Sequence, residues 1–118
     1  MKRVLIVDDG AFMRLLIRGM LDKNGYEIAG EAENGAIAVE KYTELKPDLV
    51  TMDITMPIKD GLSALRDIME IDPEANVVMV SAMGQDSSVK EAIMSGAKGF
   101  VVKPFDESGF ISVLNTVF

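Results

Sequence analysis

Residues 3–9, Arg3-Val4-Leu5-Ile6-Val7-Asp8-Asp9, decide how this chain reads. Arg3 to Val7 is a β-rich, almost wholly apolar run. A run without polar alternation suits a strand covered on both faces. A second such run, Leu49-Val50-Thr51-Met52, also ends on an acid, Asp53. If both runs are parallel strands of one sheet, Asp8, Asp9 and Asp53 crowd one edge. Such carboxylates repel one another unless a cation sits among them. Hard oxygen ligands suit Mg²⁺. A carboxylate beside bound Mg²⁺ is well placed to receive a phosphoryl group.

Outward from these runs, strand-like and helix-like pieces alternate. Apolar residues at Phe12, Leu15, Leu16, Gly19 and Met20 follow helical spacing from Ala11 to Lys23, with Arg14, Arg18 and Asp22 on the opposite face. Asn24-Gly25 stops that helix. Tyr26 to Glu31 reads as a short strand. Asn34 caps a second helix that runs to about Leu45, with Ala38, Tyr42 and Leu45 inward, and Lys46-Pro47 ends it. Asp48 to Met52 is the next strand, and Met56-Pro57-Ile58-Lys59-Asp60-Gly61 a turn-rich loop. Leu62, Leu65, Ile68 and Met69 mark a third helix, closed by Asp72-Pro73. Asn76 to Val80 is a buried strand. Asp86 to Ser95 is a weaker helix, with Val89, Ala92 and Ile93 inward and Gly96 as its stop. Gly99 to Val102 is the last strand. Phe110, Val113, Leu114 and Val117 mark the last helix, whose interior Gly109 costs about 1 kcal/mol relative to Ala.

Five strands and five helices in alternation imply an α/β fold: a doubly wound parallel sheet with helices on both faces. Ligands of such sheets sit beyond the carboxyl ends of the strands. The informative residues lie there: Asp8 and Asp9 after the first strand, Asp53 after the third, Ser81 after the fourth, Lys103 after the fifth.

The 118 residues are one domain's worth, residues 1–118. A chain of this size buries roughly two-thirds of its unfolded surface, enough for a real core. A hydrophobic share of 48% with 26% charged residues is an ordinary globular balance. There is no Cys and no His, so neither thiol chemistry nor an imidazole ligand or base is available. A net charge of −7 argues against a nucleic-acid partner. No apolar run approaches a membrane span, and a strand starting at Arg3 leaves no room for a signal peptide. A cytoplasmic protein without a membrane partner is the expectation.

The set Val7-Asp8-Asp9, Met52-Asp53-Ile54-Thr55-Met56-Pro57, Gly61, Ser81-Ala82 and Lys103-Pro104-Phe105 resembles the receiver domain of two-component response regulators over the whole chain. Gly10-Ala11-Phe12-Met13-Arg14 and Ser81-Ala82-Met83-Gly84-Gln85 bring it close to the stand-alone chemotaxis members found outside the enteric bacteria. The resemblance implies a flavodoxin-like sheet in the order 2-1-3-4-5; that order is carried over from the family and does not follow from the spacing.

It also implies roles. Asp53 would be the phospho-acceptor for a sensor histidine kinase. Asp8 and Asp9, with Asp53 and the Thr55 backbone carbonyl, would hold Mg²⁺. Lys103 and Ser81 would bind the phosphoryl oxygens, the Lys103-Pro104 bond would be cis, and Phe100 would be the switching aromatic, without the phenol of the enteric form. Thr55 and Met83 would tune phosphate lifetime. Taken singly, these residues have plainer readings. Asp8-Asp9 can cap a helix, Ser81 can close a turn, Lys103 can be a loop cation and Phe100 core packing.

The implied function is a response regulator of the chemotaxis type, switching its affinity for a flagellar motor switch protein. A phosphatase would be a further partner, and the protein would be a monomer. Its only catalysis would be Mg-dependent self-phosphorylation and autodephosphorylation. Since the sequence stops just after the last helix, output is expected through protein contact. The alternatives are a phosphorelay intermediate or phosphate sink, or a receiver excised from a larger regulator. A Mg²⁺-dependent phosphatase is a different class; it usually carries a second Asp where Thr55 stands. A flavin carrier lacks support, because no Ser/Thr/Gly-rich loop follows the first strand.

Overall fold

Two apolar strands that end on acids can lie side by side only if something covers both their faces, and five helices do so. The computed structural model describes residues 1–82 and 86–118. Its elements are β1 (Arg3–Val7), α1 (Ala11–Lys23), β2 (Glu27–Ala32), α2 (Gly35–Leu45), β3 (Leu49–Met52), α3 (Gly61–Ile71), β4 (Val77–Ser81), α4 (Asp86–Met94), β5 (Gly99–Val102) and α5 (Glu107–Val117). The strands form one sheet in the order β2-β1-β3-β4-β5, every pair parallel. Strands β2, β3 and β4 start one residue later than the apolar runs suggest, because Tyr26, Asp48 and Asn76 belong to the turns that enter them.

The pleat separates two cores. Leu5, Val7, Val50, Met52, Val77 and Met79 point to the side of Ala38, Tyr42, Leu65, Ile68 and Ala92. Val4, Ile6, Leu49, Val78, Val80 and Val101 point to Ile17, Leu21, Phe110 and Leu114. Helices α1 and α5 therefore cover one face, and α2, α3 and α4 the other. Local signals fix the helix ends. Asn34 accepts from the Ile37 N–H at 2.9 Å, and Lys46 ends α2 in the left-handed region. Asp60 and Asp106 cap α3 and α5 in the same way.

The face of α1 differs from the one that periodicity suggested. Ile17 and Leu21 are buried, with Met13 and Met20 packed beside them. Phe12 is 71% exposed and Leu15 63%, and Leu16 is exposed too. The helix carries two apolar stripes, each with helical spacing, and hydrophobicity alone does not rank them. With the 13-17-20-21 stripe on the sheet, Arg14 and Arg18 both reach Glu31 on β2. In α4, Ile93 is likewise exposed and not inward, while Ala92 is buried.

Two glycines close the loop after β3. A Cβ on Gly61 would stand 1.9 Å from the Asp53 carbonyl oxygen, and one on Gly35 would stand 2.5 Å from that of Lys59. Gly61 N–H donates to Ile54 O at 2.7 Å, and Gly35 N–H to Lys59 O at 2.9 Å. The loop from Asp53 to Gly61 is thus clamped against the start of α2. Thr51, mid-strand between Ile6 and Val78, is buried, and its hydroxyl has no partner among the described residues.

Gly61→Ala is expected to lower stability by about 1–3 kcal/mol, since the added methyl has no room beside backbone; urea unfolding measures it. Thr51→Val should raise stability by about 1 kcal/mol, because it removes an unpaired buried hydroxyl while keeping the shape. A destabilised Thr51→Val variant would mean that the hydroxyl has a partner.

Candidate functional site

The register of the central strands builds the site. Val7 pairs with Met52, so the residues that follow, Asp8 and Asp53, emerge side by side. The Asp53 N–H donates to Val7 O at 3.0 Å and the Asp8 N–H to Ala32 O at 3.1 Å, extending the ladders one residue past the strands. Asp8 is 3% exposed and Asp53 7%, while Asp9 is open to solvent. One carboxylate oxygen from each of the three lies within 4.8 Å of the other two.

A cation from the far side of the sheet meets them. The Lys103 ammonium donates to Asp8 Oδ2 at 2.7 Å and stands 3.6 Å from Asp53 Oδ2. Its backbone N–H donates to Ser81 O at 2.9 Å, and its bond to Pro104 is cis. Asp8 Oδ1 accepts from the Gly10 N–H at 2.8 Å, and Asp53 Oδ1 from the Ile54 N–H at 2.9 Å. Burial pushes the Asp53 carboxyl above its ordinary range. Lys103 opposes that shift, Asp8 and Asp9 add to it, and the Ile54 N–H opposes it again. A buried, repelled carboxylate in this position favours any added positive charge. Three hard oxygens at this spacing fit a divalent metal of the Mg²⁺ class, which needs few protein ligands because it keeps several waters.

The other expected residues fall around this cluster. Ser81 is buried at the end of β4, beyond the Met79 that pairs with Met52. Phe100 lies opposite Met79 on β5 and packs, partly buried, against the core on the α2–α4 side. Thr55 is exposed in the loop after Asp53. Met83 lies outside the described residues, with Gly84 and Gln85.

Sequence reasoning placed Arg14 on a solvent face, and the structure places it at the cluster. Its Nη1 donates to Asp8 O at 2.7 Å and its Nε to Glu31 Oε1 at 3.0 Å. Arg18 donates to the other Glu31 oxygen at 2.6 Å. The hydrogen bonds from Arg18 and Arg14 hold the Glu31 carboxyl below its usual range, against the opposing effect of burial. The available signal was a helix arginine one turn past the acid pair, facing an acid on the edge strand.

The Response regulator receiver domain family matches residues 4–115. The chain is 60% identical over 116 residues to the chemotaxis protein CheY of Thermotoga maritima, covering 98% of this chain and 97% of that protein. To the CheY of Bacillus subtilis it is 58% identical over 113 residues, covering 96% of this chain and 94% of that one. The CheY in the CheX-CheY-BeF3-Mg²⁺ complex of Borrelia burgdorferi superposes with a TM-score of 0.97 at 40% identity, over 99% of this chain and 89% of that one. With the sheet order, the strand-end acids and these likenesses together, the chain belongs to the response regulator receiver domain family, as a CheY-like member.

Proposed function

We propose that this chain is a chemotaxis response regulator, a single receiver domain that is phosphorylated on Asp53 and passes the signal by changing its protein partners. One observation carries the reading: three carboxylates from two adjacent strand ends lie within 4.8 Å of one another, with the Lys103 ammonium reaching Asp8 and Asp53. A structural sheet edge has no need to gather like charges in this way. The near-full-length likeness to chemotaxis proteins adds the pathway.

In this reading Asp8, Asp9, Asp53 and the Thr55 carbonyl hold Mg²⁺. The metal, when bound, offsets the repulsion between the Asp53 carboxylate and an incoming phosphoryl group. An Asp53 oxygen attacks the phosphorus of a kinase phosphohistidine. The O–P bond forms as the P–N bond breaks, and the leaving imidazole keeps the electron pair. Lys103 then moves its ammonium from Asp8 toward the new phosphoryl oxygens as a point charge, and Ser81 donates its hydroxyl to another. Hydrolysis of the acyl phosphate resets the protein.

The phosphoryl group adds about −1.5 to −2 charges. Two charge-assisted hydrogen bonds contribute about 1.5–3 kcal/mol each. Inverting a 1:99 equilibrium requires about 5.5 kcal/mol, so Ser81 and Lys103 suffice only if their bonds to phosphate are nearly absent beforehand. Phe100 follows Ser81 inward, and the face of α4, β5 and α5 changes its binding. That face already exposes Ile93 and Val102. The partners in this reading are a histidine kinase, which can use the exposed Phe12 and Leu15 of α1, a flagellar motor switch protein, and a phosphatase. A CheX-like protein is a further candidate, after the Borrelia complex. The protein acts as a cytoplasmic monomer; no described helix is long and apolar enough to cross a membrane.

Incubation with acetyl phosphate and Mg²⁺ should add one phosphoryl group by intact mass, and neither Asp53→Asn nor EDTA-treated protein should gain it. Catalytic turnover of a generic phosphomonoester would instead make the protein a phosphatase. Ser81→Ala should keep most of the phosphorylation yet lose the phosphate-dependent gain in binding to a motor-switch peptide, read by fluorescence anisotropy. Equal loss of both would overturn the switching role of Ser81.

A further inference from the structure

Every polar atom of Asp8 has a partner: its N–H donates to Ala32 O, Oδ1 accepts from Gly10, Oδ2 from Lys103 and its carbonyl from Arg14. Asp9 is the opposite case. It is exposed, and among the described residues nothing holds its carboxylate. Yet its oxygen must lie with those of Asp8 and Asp53 for the three to share an ion. The direction in which Asp9 leaves the chain is set by the peptide plane between Asp8 and Asp9, whose oxygen is the atom that Arg14 grips.

Arg14 is itself held. Its side chain is only 17% exposed, and it spans from the Asp8 carbonyl to Glu31 on the edge strand. Glu31 is tied down twice more, by Arg18 on its second oxygen and by Lys41, whose ammonium donates to its backbone carbonyl at 2.6 Å. A guanidinium presents a planar fork that can serve two acceptors at fixed angles, which a lysine ammonium does not reproduce.

We infer that Arg14, anchored by Glu31, is a positioning residue that fixes the Asp8–Asp9 peptide and so preorganises the metal site. The inference rests on the reading of Asp8, Asp9 and Asp53 as a Mg²⁺ site. It carries a sign that separates it from a charge effect. Arg14 is a cation beside an acidic site, and by Coulomb's law its removal should strengthen binding of another cation. Loss of a positioning contact should weaken it. Outer contacts of metal ligands typically change affinity by about 10–100-fold. The lower end applies here, because Arg14 grips the backbone and not a ligand atom.

The test is Mg²⁺ titration of the full chain by calorimetry at about 0.15 M ionic strength. Arg14→Ala should weaken Mg²⁺ binding about tenfold, with the metal-free melting temperature little changed. In the acetyl phosphate reaction its half-saturating Mg²⁺ should rise by a similar factor, while the rate at saturating Mg²⁺ stays near that of the wild type. Glu31→Gln should weaken binding in the same direction, and the double variant should be no worse than Arg14→Ala alone. Should Arg14→Ala fail to fold, Arg14→Lys keeps the charge, loses the fork and is expected to shift the same way. Equal or tighter Mg²⁺ binding by the Arg14 variants would overturn the inference and leave the metal site standing. A wild type with no measurable Mg²⁺ affinity would overturn both.

Discussion

The structure turns on a repulsion that it does not avoid. Parallel pairing of β1 with β3 puts Val7 opposite Met52, and the next residue on each strand is an aspartate. Two carboxylates then share a site from which water is largely excluded, with a third at its rim. Separated acids would be solvated and cheap; gathered acids require positive charge. Lys103 supplies part of it from β5, two strands away in the sheet from β3. The pair of Lys103 and Asp8 is mostly buried, and a buried pair of this kind contributes little net stability while being costly to break. Its value lies in holding a charged site in one geometry.

That arrangement explains why the scaffold around the acids is tight. Gly61 and Gly35 let two stretches of backbone approach closer than any side chain would permit, so the loop after Asp53 cannot drift. Extra ladder bonds carry Asp8 and Asp53 past the ends of their strands. The Arg14–Glu31 brace adds a lateral tie to β2. The site thus draws on all five strands: Asp8 and Asp53 just past β1 and β3, Glu31 on β2, Ser81 at the end of β4 and Lys103 just past β5. In the proposed function, phosphorylation would reach the face of α4, β5 and α5 through Ser81 and Lys103.

Much of this architecture was legible in the sequence. Continuous apolar runs with acids at their ends gave the parallel strands, and Asn34, Lys46, Gly25 and Gly96 marked where helices start or stop. What failed was the facing of α1. Phe12, Leu15, Leu16, Gly19 and Met20 keep helical spacing as well as Met13, Ile17, Met20 and Leu21 do, and Met20 alone belongs to both stripes. Hydrophobic spacing says that a helix has an inward side but not which, when two sides are apolar. The same ambiguity placed Ile93 inward and Arg14 outward. The buried hydroxyl of Thr51 was equally invisible, since a threonine in a strand gives no hint of its neighbours.

The sequence by itself determined the elements, their alternation, and the polar residues that close each strand, because these depend on short-range chain geometry and on the burial of apolar runs. Only the tertiary structure decided which stripe of α1 meets the sheet, that Lys103 reaches Asp8 more closely than Asp53, and that Arg14 grips the carbonyl of a site residue. Those facts depend on contacts between residues far apart in the chain. Their energies come from charge and packing in three dimensions, which spacing along one dimension does not encode.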